Sequence, residues 1–535
     1  MSSLMASEHG THELDSMAAL RQSVRNRIVI TGDVEENELL YQMHQASRDI
    51  KDLFASSFGP CGMSKIIISP TDDIYMTSDG KTIIEEIDVL HPVVTSLKKL
   101  AISMDKACGD GTKTAVILAA SLIGNAVRLA GQGLHPATII KGYQLALNKA
   151  YEILEYESMQ VVSEEDFNSV IENASLSKGV EPRQARKITE LVTRTISNLK
   201  STDDGSRIEL NDYVKIIKKV GGPEIECIPG IILDETPVRD DMPQHIKDAR
   251  ILILNYNVRF ESKIINSQRN IRIEGTDNSM LLMQEQARSL KGLAKKIIDS
   301  GADLVLCEGS VDESVEDSLA KHGVLLFKKL KMKDLEMISK ATGASIVSIK
   351  DDILPDDLGF ADEVNVRKKC DEHFLFLSVS GQPISTILIW EPFGYGLEKL
   401  EEAVDDALNN AAFLMKGPFV VSGGGCIEFV LSQMLRRYAS TIEGKEQLAV
   451  IEYANALEEI PRILARNAGM NATDAMVQML HYYGKGIDCR IDRTGEVVPN
   501  IPPVYDPSSI KKLSVIAATE SVNSLLRIDK ILLKK

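Results

Sequence analysis

The stretch Cys108-Gly109-Asp110-Gly111-Thr112-Lys113-Thr114-Ala115-Val116-Ile117-Leu118 sets a Gly-Asp-Gly turn directly before a long apolar helical run. Two glycines permit tight backbone turns, and free amides at a helix start attract phosphate. A carboxylate between them repels phosphate unless a cation intervenes, so Asp110 points to Mg²⁺ bridged to a nucleotide. Hydroxyls at Thr112 and Thr114 add donors for phosphate oxygens. The P-loop pattern G-x-x-x-x-G-K-[ST] is absent; Gly-Thr-Lys-Thr misses it by one residue. Taken alone, the loop reads equally as a Gly-rich helix start with Asp110 as its cap. Three further sites let backbone approach a ligand closely: Gly59-Pro60-Cys61-Gly62, Asp79-Gly80 and Ser422-Gly423-Gly424-Gly425. Each alone is more often structural, and their combination favours a ligand.

Working outward, the pattern from Asn37 to about Gln160 is largely helical, with Ala, Leu, Ile and Val at helical spacing in Thr95–Met104 and Thr114–Ala130. Ile66-Ile67-Ile68 and Asp72-Asp73-Ile74-Tyr75-Met76 read as a hairpin that runs into Ser78-Asp79-Gly80. Around Val214 the character changes. Short apolar runs (Val214–Val220, Gly230–Leu233, Ile251–Asn255, Asp303–Cys307, Val324–Phe327, Ser345–Ile349, Phe374–Val379) alternate with helical patterns at Leu281–Ile298 and Lys333–Thr342. Such alternation implies an α/β domain. After Gly394 helices return, at Leu397–Met415, Ile427–Ala439, Glu446–Arg466 and Asn471–Tyr482. The two ends therefore share a class that the middle lacks, as a domain inserted into a surface loop would give.

The 535 residues carry 61 Lys+Arg against 77 Asp+Glu, a formal net charge of −16, with 44% hydrophobic and 26% charged residues. That length suggests about three or four globular domains. An acidic balance argues against a phosphate-backbone binder, whose affinity rests on basic patches. No uninterrupted apolar run reaches the roughly 18 residues a membrane span needs. The stretch Met1 to Gln22 lacks the apolar centre of a signal peptide. Seven scattered cysteines without a C-x-x-C pair fit reduced thiols. The expectation is a cytoplasmic protein that neither crosses a membrane nor binds nucleic acid.

The ordered set of motifs resembles the group II chaperonins, the archaeal thermosome and its cytosolic eukaryotic relatives. It comprises Gly59-Pro60-Cys61-Gly62-Met63-Ser64-Lys65, Thr77-Ser78-Asp79-Gly80-Lys81-Thr82-Ile83, Asp88-Val89-Leu90-His91-Pro92, Gly109-Asp110-Gly111-Thr112 and His135-Pro136-Ala137-Thr138. It continues with Gly301-Ala302-Asp303, Lys340-Ala341-Thr342-Gly343, Gly423-Gly424-Gly425-Cys426-Ile427-Glu428, Gly444-Lys445-Glu446-Gln447 and Asn467-Ala468-Gly469. The resemblance implies a multidomain chaperonin fold. A mainly α equatorial domain comes from both chain ends (1–157 and 418–535) and a small α/β intermediate domain from 158–222 and 376–417. An inserted α/β apical domain spans 223–375, with a helical lid protrusion at about 256–285. It also implies an ATPase that cycles between ATP and ADP with Mg²⁺, K⁺ being a further candidate ion. Its subunits, identical or paralogous, would stack in double rings around non-native polypeptide clients.

By the same resemblance, Ser57, Gly59 and Pro60 line the nucleotide and Asp110 holds the metal. Gly111, Thr112, Lys113 and Thr114 stand at the phosphates, with Asp79 near the γ-phosphate. The water-activating carboxylate falls on Asp406, beside Asp405. Gly424 touches the ribose, Val504 and Asp506 contact the adenosine, and Lys178 senses the γ-phosphate. Read without the family, Asp406 belongs to an acidic helix face of Glu401, Glu402 and Asp405, and Lys178 is a surface lysine.

Several positions depart from the family pattern. Lys113 stands where Thr is usual, and a lysine there either reaches phosphate as a point charge or crowds the site. Lys81 replaces a small residue, Pro503 a glycine, and Trp390-Glu391-Pro392-Phe393 an Arg-Gly-Gly turn. Lys113 and Lys81 together favour an alternative, a regulatory or client-selecting ring subunit with weak or absent hydrolysis. Leu282, Gln286, Leu290, Leu293 and Ile297 mark one helix face. Leu281, Leu282 and Met283 are the candidate client contacts. Asn523–Asp529 resembles the terminal strand that pairs with a neighbouring subunit, and Arg25–Val29 is the divergent start.

Overall fold

The computed structural model describes residues 36–68, 74–87, 89, 91–200, 213–222, 224–259, 276–348, 353–369, 372–392 and 394–528. The chain divides into two compact units. One takes the chain up to Thr193 and again from Glu398; the other is Arg194–Leu397. The insertion read from the change of pattern at Val214 and Gly394 thus appears as a contiguous unit. Within the segments expected as an intermediate domain, Glu164–Ser177 groups with the first unit, while the strands of 214–229 and 385–391 fall in the second.

The first unit opens with α1 (Glu36–Ala55), the antiparallel hairpin β1 (Lys65–Ile68) and β2 (Ile74–Thr77), and the short α2 (Gly80–Glu85). Then come α3 (Pro92–Cys108), α4 (Thr112–Gly131), α5 (Pro136–Tyr156), the two-residue β3 (Met159–Gln160), α6 (Glu164–Ser177) and α7 (Pro182–Lys200), which runs on into the second unit. Residues Ala115–Ile123 of α4 are all buried, with Ser121 the one polar side chain in that run, so this stretch of the helix is covered on every side. By length and composition α4 could cross a membrane. It is instead the central core helix, and each Leu or Ile buried there stabilises by about 1.5–3 kcal/mol.

In the second unit β4 (Val214–Val220), β5 (Glu224–Pro229), β6 (Ile231–Leu233) and β7 (His245–Leu254) precede α8 (Thr276–Ser300) and β8 (Leu304–Cys307). There follow α9 (Glu313–Lys321), β9 (Leu325–Phe327), α10 (Met332–Thr342), β10 (Ile346–Val347), β11 (Gly359–Lys369), β12 (Glu372–Ser378) and β13 (Ser385–Glu391). The large sheet runs β6-β12-β11-β7-β8-β9, with β10 also on β7; β7, β8, β9 and β10 are parallel. Fully buried runs such as Leu304–Cys307 are what parallel strands covered on both faces require. Among the described residues of this unit, β5, β11 and β13 were not expected. In β11 polar residues alternate with buried Ala361, Val364 and Val366, so no apolar run marks it. β13 is the middle strand of the small sheet β4-β13-β5. Its Trp390 is buried edge-to-face on Phe374, with ring centroids 6.1 Å apart, so the departure at this position is a packing feature.

Leu290 and Ile297 of α8 are buried and Leu293 packs against the same core, so this face belongs to the unit's interior. The expected lid at 256–285 lies largely outside the described residues, as do the side chains of Leu281, Leu282 and Met283 and the start at Arg25–Val29.

Back in the first unit are α11 (Gly394–Lys416), β14 (Phe419–Ser422), α12 (Cys426–Ala439), α13 (Glu446–Asn467), α14 (Ala472–Gly484), the hairpin β15 (Cys489–Ile491) and β16 (Val497–Pro499), β17 (Tyr505–Pro507) and α15 (Ser508–Leu525). Helices α1, α3, α5, α13 and α15 pack on α4, so both chain ends share one core. Tyr143 and Tyr453 meet edge-to-face at 5.5 Å, and Tyr143 donates to the Leu122 carbonyl at 2.9 Å. The terminal-strand expectation for Asn523–Asp529 is corrected: Asn523–Leu525 are the last turn of α15. Val522, Leu525 and Leu526 repeat at helical spacing and face the core. Asp529 onward lies outside the described residues.

Candidate functional site

One cleft in the first unit gathers residues from widely separated parts of the chain. Asp110 stands between Gly109 and Gly111, both left-handed at φ 67° and 79°; the first ends α3 and the second begins α4. A Cβ at Gly109 would collide with the Asn409 side chain, and one at Gly111 would lie 2.8 Å from Ile510 Cγ2 and Ser514 Oγ. Glycine meets both the backbone and the space requirement. This close fit sets α11 and α15, from the second half of the chain, against a loop from the first. Asn410 Nδ2 adds a tie, donating to Asp110 Oδ2 and to the Asp406 carbonyl at 2.8 Å each.

Beside Asp110 lies a cluster of buried charge. Asp79 caps α2, its Oδ2 accepting from the Thr82 N–H at 3.0 Å. Lys178 Nζ lies 3.3 Å from Asp79 Oδ1 and 3.1 Å from Asp406 Oδ2. Lys178 follows the last residue of α6, where exposed carbonyls favour a cation. It is 7% exposed and Asp406 is 4% exposed. Both plain readings are therefore corrected: Lys178 is no surface lysine, and Asp406 faces inward while its neighbour Asp405 is exposed. The cause is geometric, since each charge has a buried partner of opposite sign.

Burial alone would lower the Lys178 pKa, but Asp406 and Asp79 outweigh it and hold it above its ordinary value. Burial opposes ionisation of Asp79 as well, yet Lys178, the Thr82 N–H and Lys113 keep it below the usual carboxylate value. At Asp406 burial dominates: with Asp110 and Asp79 adding to it and Lys178 opposing, the carboxyl is pushed well up. A carboxylate with raised proton affinity is the better base toward a water molecule.

Lys113 Nζ donates to the Ser57 carbonyl at 2.9 Å, and its stem packs against Gly80, where a Cβ would lie 2.8 Å from Lys113 Cγ. Burial, and then repulsion from Lys178, bring its pKa down to about 8 against the pull of Asp406, Asp79 and Glu402. Of the residues expected from sequence, Gly59, Pro60, Asp79, Asp110, Gly111, Thr112, Lys113, Thr114, Lys178, Asp406, Gly424 and Asp506 line the cleft. Ser57 and Val504 are not in its lining. The Ser57 hydroxyl turns back to the Phe54 carbonyl at 3.1 Å, and the Val504 carbonyl accepts from the Gly423 N–H at 2.8 Å.

Among the described residues, no three His, Cys, Asp or Glu side chains are grouped to hold a metal by themselves. Asp110 has no ion pair among them; its Oδ1 accepts from the Gly111 N–H and its Oδ2 from Asn410, which leaves each oxygen a further lone pair. One carboxylate completed by phosphate oxygens is how Mg²⁺ is commonly held, and the donor set here fits that pattern.

Residues 50–535 match the TCP-1/cpn60 chaperonin family. The chain belongs to this family. A thermosome subunit of Methanopyrus kandleri is 34% identical over 496 residues, covering 91% of this chain and 90% of the relative. The thermosome subunit beta of Archaeoglobus fulgidus is 35% identical over 500 residues (92% and 91%), and the thermosome subunit alpha of Aeropyrum pernix 33% over 501 residues (91% and 90%).

The far end of this chaperonin's cleft is built differently. Gly424 and Gly425 are left-handed at φ 63° and 83°, and a Cβ on Gly424 would lie 2.7 Å from Arg490 Cβ. Next to them Asp506 Oδ1 accepts from Asn173 Nδ2 at 2.7 Å, and Asp506 Oδ2 lies 2.9 Å from Lys511 Nζ. Lys511 also meets Glu428 Oε1 at 2.6 Å. Burial works to lower the Lys511 pKa, but Asp506 and Glu428 prevail and raise it. The other departures turn away from the cleft: Lys81 pairs with Asp105 at 2.8 Å, and the Pro503 carbonyl accepts from Ser169 at 2.7 Å.

Sequence reasoning missed Asn410, Asn173, Lys511, Glu428 and Glu402, the last accepting from the Thr77 and Ser78 hydroxyls. Asn410 was findable, since it lies one helical turn after Asp406 on the same face. The others are joined only by tertiary contact.

Proposed function

We propose that this chain is a cytoplasmic group II chaperonin subunit that hydrolyses ATP to enclose and fold non-native polypeptides in a double ring of itself or its paralogues. One observation carries the reading: Asp110 from the first half of the chain and Gly424 and Asp506 from the second line a single cleft. The start of α4 presents free amides, with the Thr112 and Thr114 hydroxyls beside them, to bind phosphate oxygens of ATP and, after turnover, ADP. Asp110 would hold Mg²⁺, which offsets the phosphate charge when bound. Lys178, charged and fixed between Asp79 and Asp406, faces the terminal phosphate. Asp406 orients the attacking water and takes its proton; Asp79 fixes Lys178. Gly424 touches the ribose, and Asp506 contacts the adenosine. Phosphoryl transfer needs positioning and charge stabilisation more than covalent chemistry, and these residues supply both.

The test is phosphate release by the assembled protein against Asp406→Ala. Loss of a base that positions water should lower turnover by about 10²-fold or more, with nucleotide affinity held within about threefold. Equal rates would remove Asp406 from its role. Electron micrographs should show stacked rings; a monomer or dimer of one to two chains would indicate a small ATP-dependent enzyme instead.

A further inference from the structure

Lys113 violates two local rules. It is the second residue of α4, where the helix macrodipole disfavours a cation, and it is repelled by Lys178 across the cleft. Local violations of this kind concentrate at functional sites. The Ser57 carbonyl it contacts lies just past the end of α1, where helix carbonyls gather negative partial charge. Neighbouring carbonyls at this helix end already have protein donors. Ser57 N–H serves Phe54, Phe58 N–H serves Ala55, and Asn467 Nδ2 donates to both Ala55 and Phe58 at 2.7 and 2.8 Å. The Ser57 oxygen is left for a cation, and backbone carbonyls are natural ligands of K⁺. Here a lysine ammonium already occupies it. Potassium, which the family resemblance admits, therefore does not fit this chain at that oxygen.

We propose that Lys113 is a tethered monovalent cation for the nucleotide: its ammonium sits on the Ser57 carbonyl in place of a free potassium ion, so nucleotide binding by this chain does not require potassium. The inference rests on the nucleotide reading of the cleft. The charges facing Lys113 are Lys178 from the end of α6, Asp79 before α2, and Asp406 and Glu402 from α11.

The test is the affinity of the assembled protein for Mg·ADP, measured in potassium chloride and in N-methylglucamine chloride at equal ionic strength. The native protein should bind within about twofold equally in both. Lys113→Thr, which opens the carbonyl and leaves a hydroxyl beside it, should lose about tenfold or more without potassium and regain most of it with potassium. Lys113→Met, which fills the space without charge, should lose as much and regain little. Ring size on electron micrographs confirms that both variants assemble. Activation of the native protein by potassium of about tenfold would overturn the proposal, and so would a potassium-free Lys113→Thr that binds like the native chain or is not rescued. Absence of Mg·ADP binding by the native protein in both salts would overturn the nucleotide reading itself, and this inference with it.

Discussion

Two lysines mark the two ends of the cleft, and their surroundings differ in kind. Lys511, near Gly424, has two carboxylates within 3 Å and a raised pKa. Lys113, near Asp110, has one carbonyl within hydrogen-bond reach among the described residues and a pKa brought down to about 8. The first charge is complete within the protein and fixes Asp506 and Glu428. The second has no ion pair among the described residues and draws on Asp406, Asp79 and Glu402 only from farther off. The cleft thus pairs its lysine tightly near Gly424 and only at longer range near Asp110.

The same substitution at the two positions should therefore act with opposite sign on the nucleotide-free protein. Lys511→Met strands two carboxylates, one of them almost fully buried, and should destabilise by about 3 kcal/mol, read as a lowered thermal midpoint. An unchanged midpoint would mean that Asp506 and Glu428 are not fixed by this lysine. Lys113→Met should do the reverse, by less. The folded pKa of about 8 lies below the unfolded value of 10.5. A depressed lysine destabilises fully below its folded pKa, and the penalty fades as pH rises from about 8 to 10.5. Discounted for a half-buried group, the variant should be more stable than the native chain by about 1–3 kcal/mol at pH 7, the gap closing by pH 10.5. A lowered midpoint at pH 7 would erase the contrast between the two ends.

Local sequence carried much of the architecture. The helices of the two ends, the hairpin at Ile66–Met76 and the change of pattern at Val214 follow from periodicity and glycine placement, and they suffice to suggest an insertion. Strand β11 escaped because its inner face alternates with charged residues, and Asn523–Leu525 was misread because a few residues of family likeness outweighed the helical spacing of Val522, Leu525 and Leu526. At the site, glycine turns and Asp110 were legible because their chemistry is local. The burial of Lys178 and Asp406 was not, since the two are paired across the core and stand 228 positions apart, at 178 and 406. Lys511, Asn173 and Glu428 were invisible for the same reason.

Whether the two chain ends flank one nucleotide can be read from a structure of the assembled protein with Mg·ADP. One nucleotide per chain should appear, its phosphates and metal against Asp110 and its ribose against Gly424. Nucleotide density that touches only one of these residues, or that lies elsewhere in the chain, would contradict it.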